Sequence, residues 1–288
     1  MTEKSIGIYY FSGTGNTKIV TDLLAKEFEN RDSKIDILRI EDVVKGKINP
    51  EVREYDILGI GYPVHALNAP KIVFTFIKHL PPEDKRMFVL KTAGDPFLHG
   101  GPTTMVRARL QQKGYSVFYE RLICMPANVL IQYDDELVKQ LYNTAEKKAA
   151  TMAEEILSGK SKMQRDSILS QLFSYLFSGM ESMGTPFFGK DLHVKDSCTL
   201  CDICVERCPT GNISRKGDLI HFGWKCIACM RCLYNCPESA ITPRLYRFFV
   251  FKTGYNIHEI INDPHIEGNY VSRNTKGYYS RFYDYMEE

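Results

Sequence analysis

Eight of the nine cysteines in this 288-residue chain lie between Cys198 and Cys236, in two copies of C-x-x-C-x-x-C-x-x-x-C-P. The first copy is Cys198, Cys201, Cys204 and Cys208, followed by Pro209; the second is Cys226, Cys229, Cys232 and Cys236, followed by Pro237. Each cysteine of the first copy recurs 28 positions later, so the stretch is an internal repeat. A 4Fe–4S cubane needs four soft thiolates at its corners, and thiolates spaced this way hold such clusters, which mostly move single electrons. A tight C-x-x-C-x-x-C turn offers three ligands to one cluster and cannot bend far enough to offer the fourth. In two-cluster proteins the fourth cysteine crosses to the other cluster. This assigns Cys198, Cys201, Cys204 and Cys236 to one cluster and Cys226, Cys229, Cys232 and Cys208 to the other. The proline after each crossing cysteine fixes φ and removes an N–H, turning the chain away. Structural zinc would usually show separated pairs of cysteines, and a disulfide framework would imply a small secreted chain. Clusters can also serve as staples in a small, loop-rich domain, but two sharing one fold read more as a wire than a clip.

A second candidate site lies near the N-terminus. Ile6 to Phe11 reads as a short buried strand. It runs into Ser12, Gly13, Thr14, Gly15, Asn16 and Thr17, and a helical pattern follows with apolar Ile19, Val20, Leu23, Leu24 and Phe28. Glycines let the backbone approach an anion closely, and the helix N-terminus adds free N–H groups and a positive dipole end. The loop has no lysine and spells neither a Walker A motif nor G-x-G-x-x-G. Hydroxyls without a cation suit a monophosphate ester dianion held by neutral donors.

Two resemblances follow from these motifs. The cysteine stretch, over about residues 190–245, resembles a bacterial-type two-cluster ferredoxin. The Ser12–Thr17 loop closely resembles the phosphate loop of flavodoxins, which bind FMN, and that likeness covers about residues 1–160. The pattern downstream agrees with it. Strands are expected at Lys34–Ile40, Asp56–Gly61, Arg86–Lys91 and Ser116–Cys124, and helices at Pro70–His79, Thr103–Lys113 and Asp134–Leu157. Strands alternating with helices predict a parallel α/β sheet covered on both faces. The resemblance implies the doubly wound order 2-1-3-4-5, with FMN at the switch point, followed by a small α+β ferredoxin-like domain. It further implies that the flavin ring rests between Pro63, Val64, His65 and Ala66 on one side and Thr92, Ala93, Gly94 and Asp95 on the other. The second loop runs from Gly61 to Pro70 and the third from Thr92 through Gly101. Classical flavodoxins ring the flavin with acidic residues. Here Gly61–Pro70 has none, and the third loop offers only Asp95. A less negative flavin potential is therefore expected, with His65 a candidate for tuning it; the bland reading of His65 is a solvent-facing loop residue.

These motifs divide the chain into a flavodoxin-like FMN domain at 1–160, an amphipathic linker helix at 161–190, a ferredoxin-like domain at 191–245 and an aromatic tail at 246–288. In the linker, Ile168, Leu169, Leu172, Phe173, Leu176 and Phe177 recur at helical spacing. They suit packing between domains, with a lid over the flavin or membrane attachment as alternatives. Met180–Gly189 is expected to break that helix, with Phe187 and Phe188 anchoring the ferredoxin-like domain. The tail's tyrosines and phenylalanines are expected to wrap back over one or both domains or to form a partner surface. Cys124, the ninth cysteine, reads as a small buried hydrophobe, or else as a neighbour of the flavin.

Composition narrows the classes. The formal charge of +2 gives no bulk drive toward nucleic acid. Loading two clusters and a flavin phosphate, at roughly −2 each, would bring it to about −4. The N-terminus enters a strand with no signal-peptide pattern, and no run approaches the roughly 18 apolar residues of a membrane span. A cytoplasmic protein of an anaerobic or low-oxygen host is expected. Together the two halves resemble the flavodoxin–ferredoxin fusions of anaerobes, sometimes called ferrodoxins. The fusion implies electron transfer between FMN and two 4Fe–4S clusters, as a redox adapter between protein partners. The alternative is a flavin-dependent reductase of a quinone or unsaturated metabolite fed by the clusters. A redox sensor would also suit such cofactors, but no output domain is recognised.

Overall fold

The computed structural model describes residues 3–96, 103–164, 176, 179 and 183–288. Its first half is a five-stranded parallel sheet built from β1 (Lys4–Tyr10), β2 (Ser33–Arg39), β3 (Ile57–Pro63), β4 (Lys85–Ala93) and β5 (Tyr115–Cys124), in the order β2-β1-β3-β4-β5. Five helices connect and cover it: α1 (Asn16–Glu29), α2 (Ile40–Val44), α3 (Lys71–His79), α4 (Thr104–Gln111) and α5 (Asp135–Leu157). The order is the one the resemblance to flavodoxins implies.

Each central strand feeds two cores, because successive side chains point to opposite faces. On β1, Ile6 and Ile8 join the core under α1 and α5, with Val20, Leu24, Phe28 and Leu141. Tyr9 and the following Phe11 join the other core, with Ile60, Val73, Phe76 and Val106. On β4, Phe88 and Leu90 face the first core while Met87 and Val89 face the second. Strands buried on both faces read as continuous apolar runs, which is why the sequence shows them without alternation. Switching at each strand's carboxyl end, the chain brings the loops after β1, β3 and β4 to one edge of the sheet.

The helix ends follow local chemistry. Asp134 caps α5, its carboxylate accepting the Glu136 N–H at 3.0 Å. Gly114 and Gly159, after α4 and α5, take left-handed backbones with φ of 92° and 76°. The short helix α2 was not expected from the sequence, and it carries two residues, Glu41 and nearby Lys45, that matter below.

The second half is small. Strands Leu192–Val194 and Ile241–Pro243 pair antiparallel, as do Ile213–Lys216 and Leu219–Phe222. Its core gathers Phe188, Leu192, Cys208, Ile213, Phe222, Met230, Leu233 and Ile241. Of the linker residues expected at helical spacing, only Leu176 is among those described; it is helical and exposed, and the rest of that stretch lies outside the described residues. The break expected across Met180–Gly189 does not hold over the described part: residues 183–191 are helical. Phe188 packs on Tyr246 and Phe249, with ring centroids 5.9 and 6.5 Å away. Phe187 stays 57% exposed against the edge of Trp224, so only one of the two phenylalanines is an anchor.

The tail crosses both halves. Tyr246, Phe249 and Val250 pack on the cysteine-rich core. Ile257, Val271, Phe282 and Tyr285 are buried in the core beneath α5. Tyr285 also reaches Cys124: its hydroxyl oxygen accepts the Cys124 N–H at 2.9 Å, and Cys124 is fully buried.

Candidate functional site

The sequence repeat is also a backbone repeat. Left-handed residues Leu200, Asp202 and Gly211 in the first copy match Ala228, Met230 and Ser239 in the second, each 28 positions apart. The one-turn helices Ile203–Glu206 and Arg231–Tyr234 occupy the same offset. So do two sulfur contacts: the Asn212 N–H points at Cys208 Sγ at 3.1 Å, and the Ala240 N–H at Cys236 Sγ at 3.3 Å. Positive φ at non-glycine residues costs energy. The same strain at the same places implies that the turns serve the sulfurs they carry.

The eight sulfurs divide between two cavities in the crossed manner. Cys198, Cys201, Cys204 and Cys236 line one, with Leu200, Ile203 and Ile220. Cys208, Cys226, Cys229 and Cys232 line the other, with Phe188, Ile227 and Leu233. Among the described residues no three such side chains close on a point that would hold a single metal ion; the sulfurs ring cavities. Burial pushes the Cys204 thiol up to about 11 and the Cys226 thiol up to about 12, neighbouring cysteines adding to the effect. Such thiols become thiolates readily only beside a cationic centre, which the iron of a cluster would supply. Backbone N–H groups are directed at three of the sulfurs, those of Cys208, Cys226 and Cys236. The donor set fits a cubane in each cavity. The two differ in setting: Cys201 is exposed, whereas Cys229 packs against the core of the sheet domain.

At the sheet edge the three expected loops meet. Thr17, buried, shares a 2.8 Å hydrogen bond with Thr92 at the end of β4. Val64 N–H donates to Thr92 O at 2.8 Å, and Pro63 pairs with Thr92. His65 and Asn68 exchange two backbone bonds of 2.8 Å around a two-residue turn in which Ala66 and Leu67 have φ of 40° and 67°. In the first loop, Ser12 Oγ accepts the Gly15 N–H at 3.1 Å, and Thr14 Oγ1 accepts from Asn128 Nδ2 at 2.9 Å. Helix α1 opens with no capping side chain and no acidic residue in its first turn, so its leading N–H groups suit an anion. Hydroxyl oxygens, backbone donors and a bare helix start fit a phosphate ester.

The third loop carries more than the sequence suggests. Gly94 O accepts from the Tyr133 hydroxyl. Asp95 accepts from the Tyr278 hydroxyl at 2.8 Å and from Arg281 Nη1 at 3.1 Å. The only acid expected near the flavin is thus held by a cation from the tail. Asn16 is likewise tied to the tail: its amide donates to Pro126 O at 2.8 Å and its oxygen accepts from Tyr255 OH at 2.6 Å. Residues Phe97–Pro102, which include Gly100 and Gly101, lie outside the described residues.

The two sites touch. A Cβ placed on Gly13 would lie 2.3 Å from the Cys229 carbonyl oxygen, so the Ser12–Thr17 loop runs directly against the turn that carries Cys229. Arg231, between Cys229 and Cys232, is 8% exposed. Its guanidinium donates to Ser12 O at 2.6 Å and to Gly13 O at 3.4 Å, and it pairs with Glu41 at 2.8 Å. From the other side, Lys45 Nζ donates to Cys208 O at 2.6 Å. Sequence reasoning missed Arg231, Glu41, Asn128, Tyr255 and Tyr278. For Arg231 a signal existed: it is the only charged residue between the cysteines of the second copy, and the matching position in the first copy is Ile203.

Residues 190–237 match the 4Fe-4S dicluster domain family. The chain joins a flavodoxin-like sheet domain to a 4Fe–4S dicluster domain. Among curated proteins it is 27% identical, over 118 residues, to an uncharacterized protein of Methanocaldococcus jannaschii, an alignment covering 41% of this chain and 72% of that protein. It is 30% identical over 122 residues to the epoxyqueuosine reductase of Bacillus anthracis; these are 42% of this chain but only 31% of the relative's length. Among solved structures, the two-electron reduced flavodoxin of Megasphaera elsdenii aligns with 52% of this chain and 98% of its own, at 19% identity and a TM-score of 0.37. The fold assignment therefore stands on the observed strand order. No helix among the described residues is long and apolar enough to cross a membrane.

Proposed function

We propose that the chain is a three-centre electron carrier, with FMN at the Ser12–Thr17 loop and two 4Fe–4S clusters at the crossed cysteine sets, handing electrons between redox proteins. When bound, the flavin exchanges electrons singly or in pairs and each cluster exchanges one. The observation that carries this reading is the contact of Cys229 with Gly13: the turn holding the inner cluster is packed on the loop holding the flavin phosphate. Ser12, Gly13, Thr14, Gly15, Asn16 and Thr17 supply or support phosphate donors. Pro63–Ala66 and Thr92–Asp95 flank the ring. Arg281 at Asp95 offsets the single nearby carboxylate, which supports a flavin less penalised for negative charge than one ringed by acids. The exposure of Cys201 supports an outer cluster that a protein partner can approach. The domain boundaries proposed for this reading are 1–160 and 191–245, with 246–288 strapping both.

A second reading, reduction of a small oxidised molecule over the flavin, draws on one observation. Tyr278 and Arg281 of the tail lie on Asp95, so the ring's edge is furnished with side chains from outside the sheet domain.

Purification without air tests the proposal. We expect about eight iron, about eight sulfide and about one FMN per chain. Protein lacking iron and sulfide, or one whose extracted flavin is not FMN, contradicts it. Sustained turnover of quinones by the loaded protein would favour the second reading over the first.

A further inference from the structure

We infer that the dicluster domain completes the phosphate site of the flavin, through Arg231 acting as a positioning residue, so that FMN and the inner cluster are held cooperatively. The inference rests on the reading of Ser12–Thr17 as the phosphate loop. Arg231 donates to the carbonyl oxygens of two successive loop residues, Ser12 and Gly13. In a trans peptide the carbonyl and the following N–H point in opposite directions. Holding the Ser12 and Gly13 carbonyls against the dicluster domain therefore turns the N–H groups of Gly13 and Thr14 away from it, as donors of the loop. A phosphate bound by neutral donors depends on their being aimed in advance, because the loop offers no cation to compensate for poor geometry.

Arg231 is itself held at both ends. Its guanidinium is fixed by Glu41, which is 1% exposed, and by the Arg207 carbonyl at 2.9 Å. Its backbone lies between Cys229 and Cys232, two ligands of the inner set. Iron binding there fixes the turn that carries Arg231, and with it the loop. Loss of that iron frees the turn and, with it, the aim of the loop. By linkage the coupling is reciprocal: FMN must tighten the binding of inner iron by the same factor.

The experiment titrates FMN and riboflavin separately into iron-loaded, flavin-free protein, followed by flavin fluorescence, for wild type, Arg231→Met and Arg231→Lys. The same titrations are run on iron-stripped wild type and iron-stripped Arg231→Met. Removing two charged hydrogen bonds to the loop is expected to weaken FMN about tenfold or more in Arg231→Met. Riboflavin, lacking the phosphate, should bind as in wild type, and lysine should recover part of the loss. Iron stripping should weaken FMN similarly in wild type and add little in Arg231→Met, because both remove the same constraint. Equal losses for FMN and riboflavin would mean a merely structural arginine and overturn the inference. So would FMN affinity that is indifferent to both Arg231 and iron. Wild type that binds riboflavin but gains nothing from the phosphate overturns the phosphate-loop reading itself, and this inference with it.

Discussion

Replacing Cys236 with alanine is expected to remove the cluster of the first cysteine triplet, and replacing Cys208 that of the second. In each case iron should fall from about eight to about four per chain. The reason is the crossed arrangement: Cys236 lines the cavity of Cys198, Cys201 and Cys204, and Cys208 that of Cys226, Cys229 and Cys232. The two losses should differ in consequence. Cys236→Ala retains the inner cluster, whose Cys229 abuts Gly13, and should keep fast electron exchange with the flavin. Cys208→Ala removes the centre nearest the phosphate loop and should abolish fast exchange while sparing the outer cluster. Iron analysis with electron paramagnetic resonance distinguishes the survivors, and rapid-mixing kinetics measures the exchange. The reverse assignment would show that each triplet is completed within its own copy, and identical behaviour of the two variants would contradict the separate inner and outer roles.

Gly13→Val carries the second large effect. Its Cβ would stand 2.3 Å from the Cys229 oxygen, and the obstruction is backbone on both sides. A backbone contact cannot be relieved by a rotamer change, so the dicluster domain must shift away from the loop. Electron exchange between flavin and clusters should slow measurably, with about eight iron still bound per chain. If Arg231 aims the loop as inferred, FMN affinity should fall with it. Exchange at the wild-type rate in a fully loaded Gly13→Val protein would mean that this contact is not the route between the halves.

Much of this molecule is legible from residue order, and the gaps have physical causes. The cysteine spacing is local: three ligands within one turn and a fourth cysteine followed by proline leave little freedom, so both copies and their cavities could be anticipated. The sheet was readable because short apolar runs such as IGIYYF and DILGIG sit between glycine-rich loops and helices of clear period. Arg231 was not, since a lone cation between cysteines looks like any solvated spacer until the fold presses it against Ser12. The aromatic density of the tail announced burial but not destination. That Tyr255 reaches Asn16 and Arg281 reaches Asp95 depends on long-range closure, which has no local signature. The turn at Ala66 and Leu67 was hidden for the opposite reason. Left-handed pairs are usually Asn-Gly or Asp-Gly, and here two ordinary residues are forced into that shape. Gly184 and Pro186 disfavour a helix over 183–191, yet one forms there, with Phe188 packed on Tyr246 and Phe249.

The most direct test of the account is the order of the exchange reaction. Fully loaded wild-type protein, given less than one electron per chain by a photochemical pulse, should redistribute that electron between clusters and flavin in a first-order process. Its rate constant should not change when the protein is diluted about tenfold, because both centres belong to one chain. A rate that falls in proportion to concentration would mean that electrons pass only between molecules, and the internal wire proposed here would not exist.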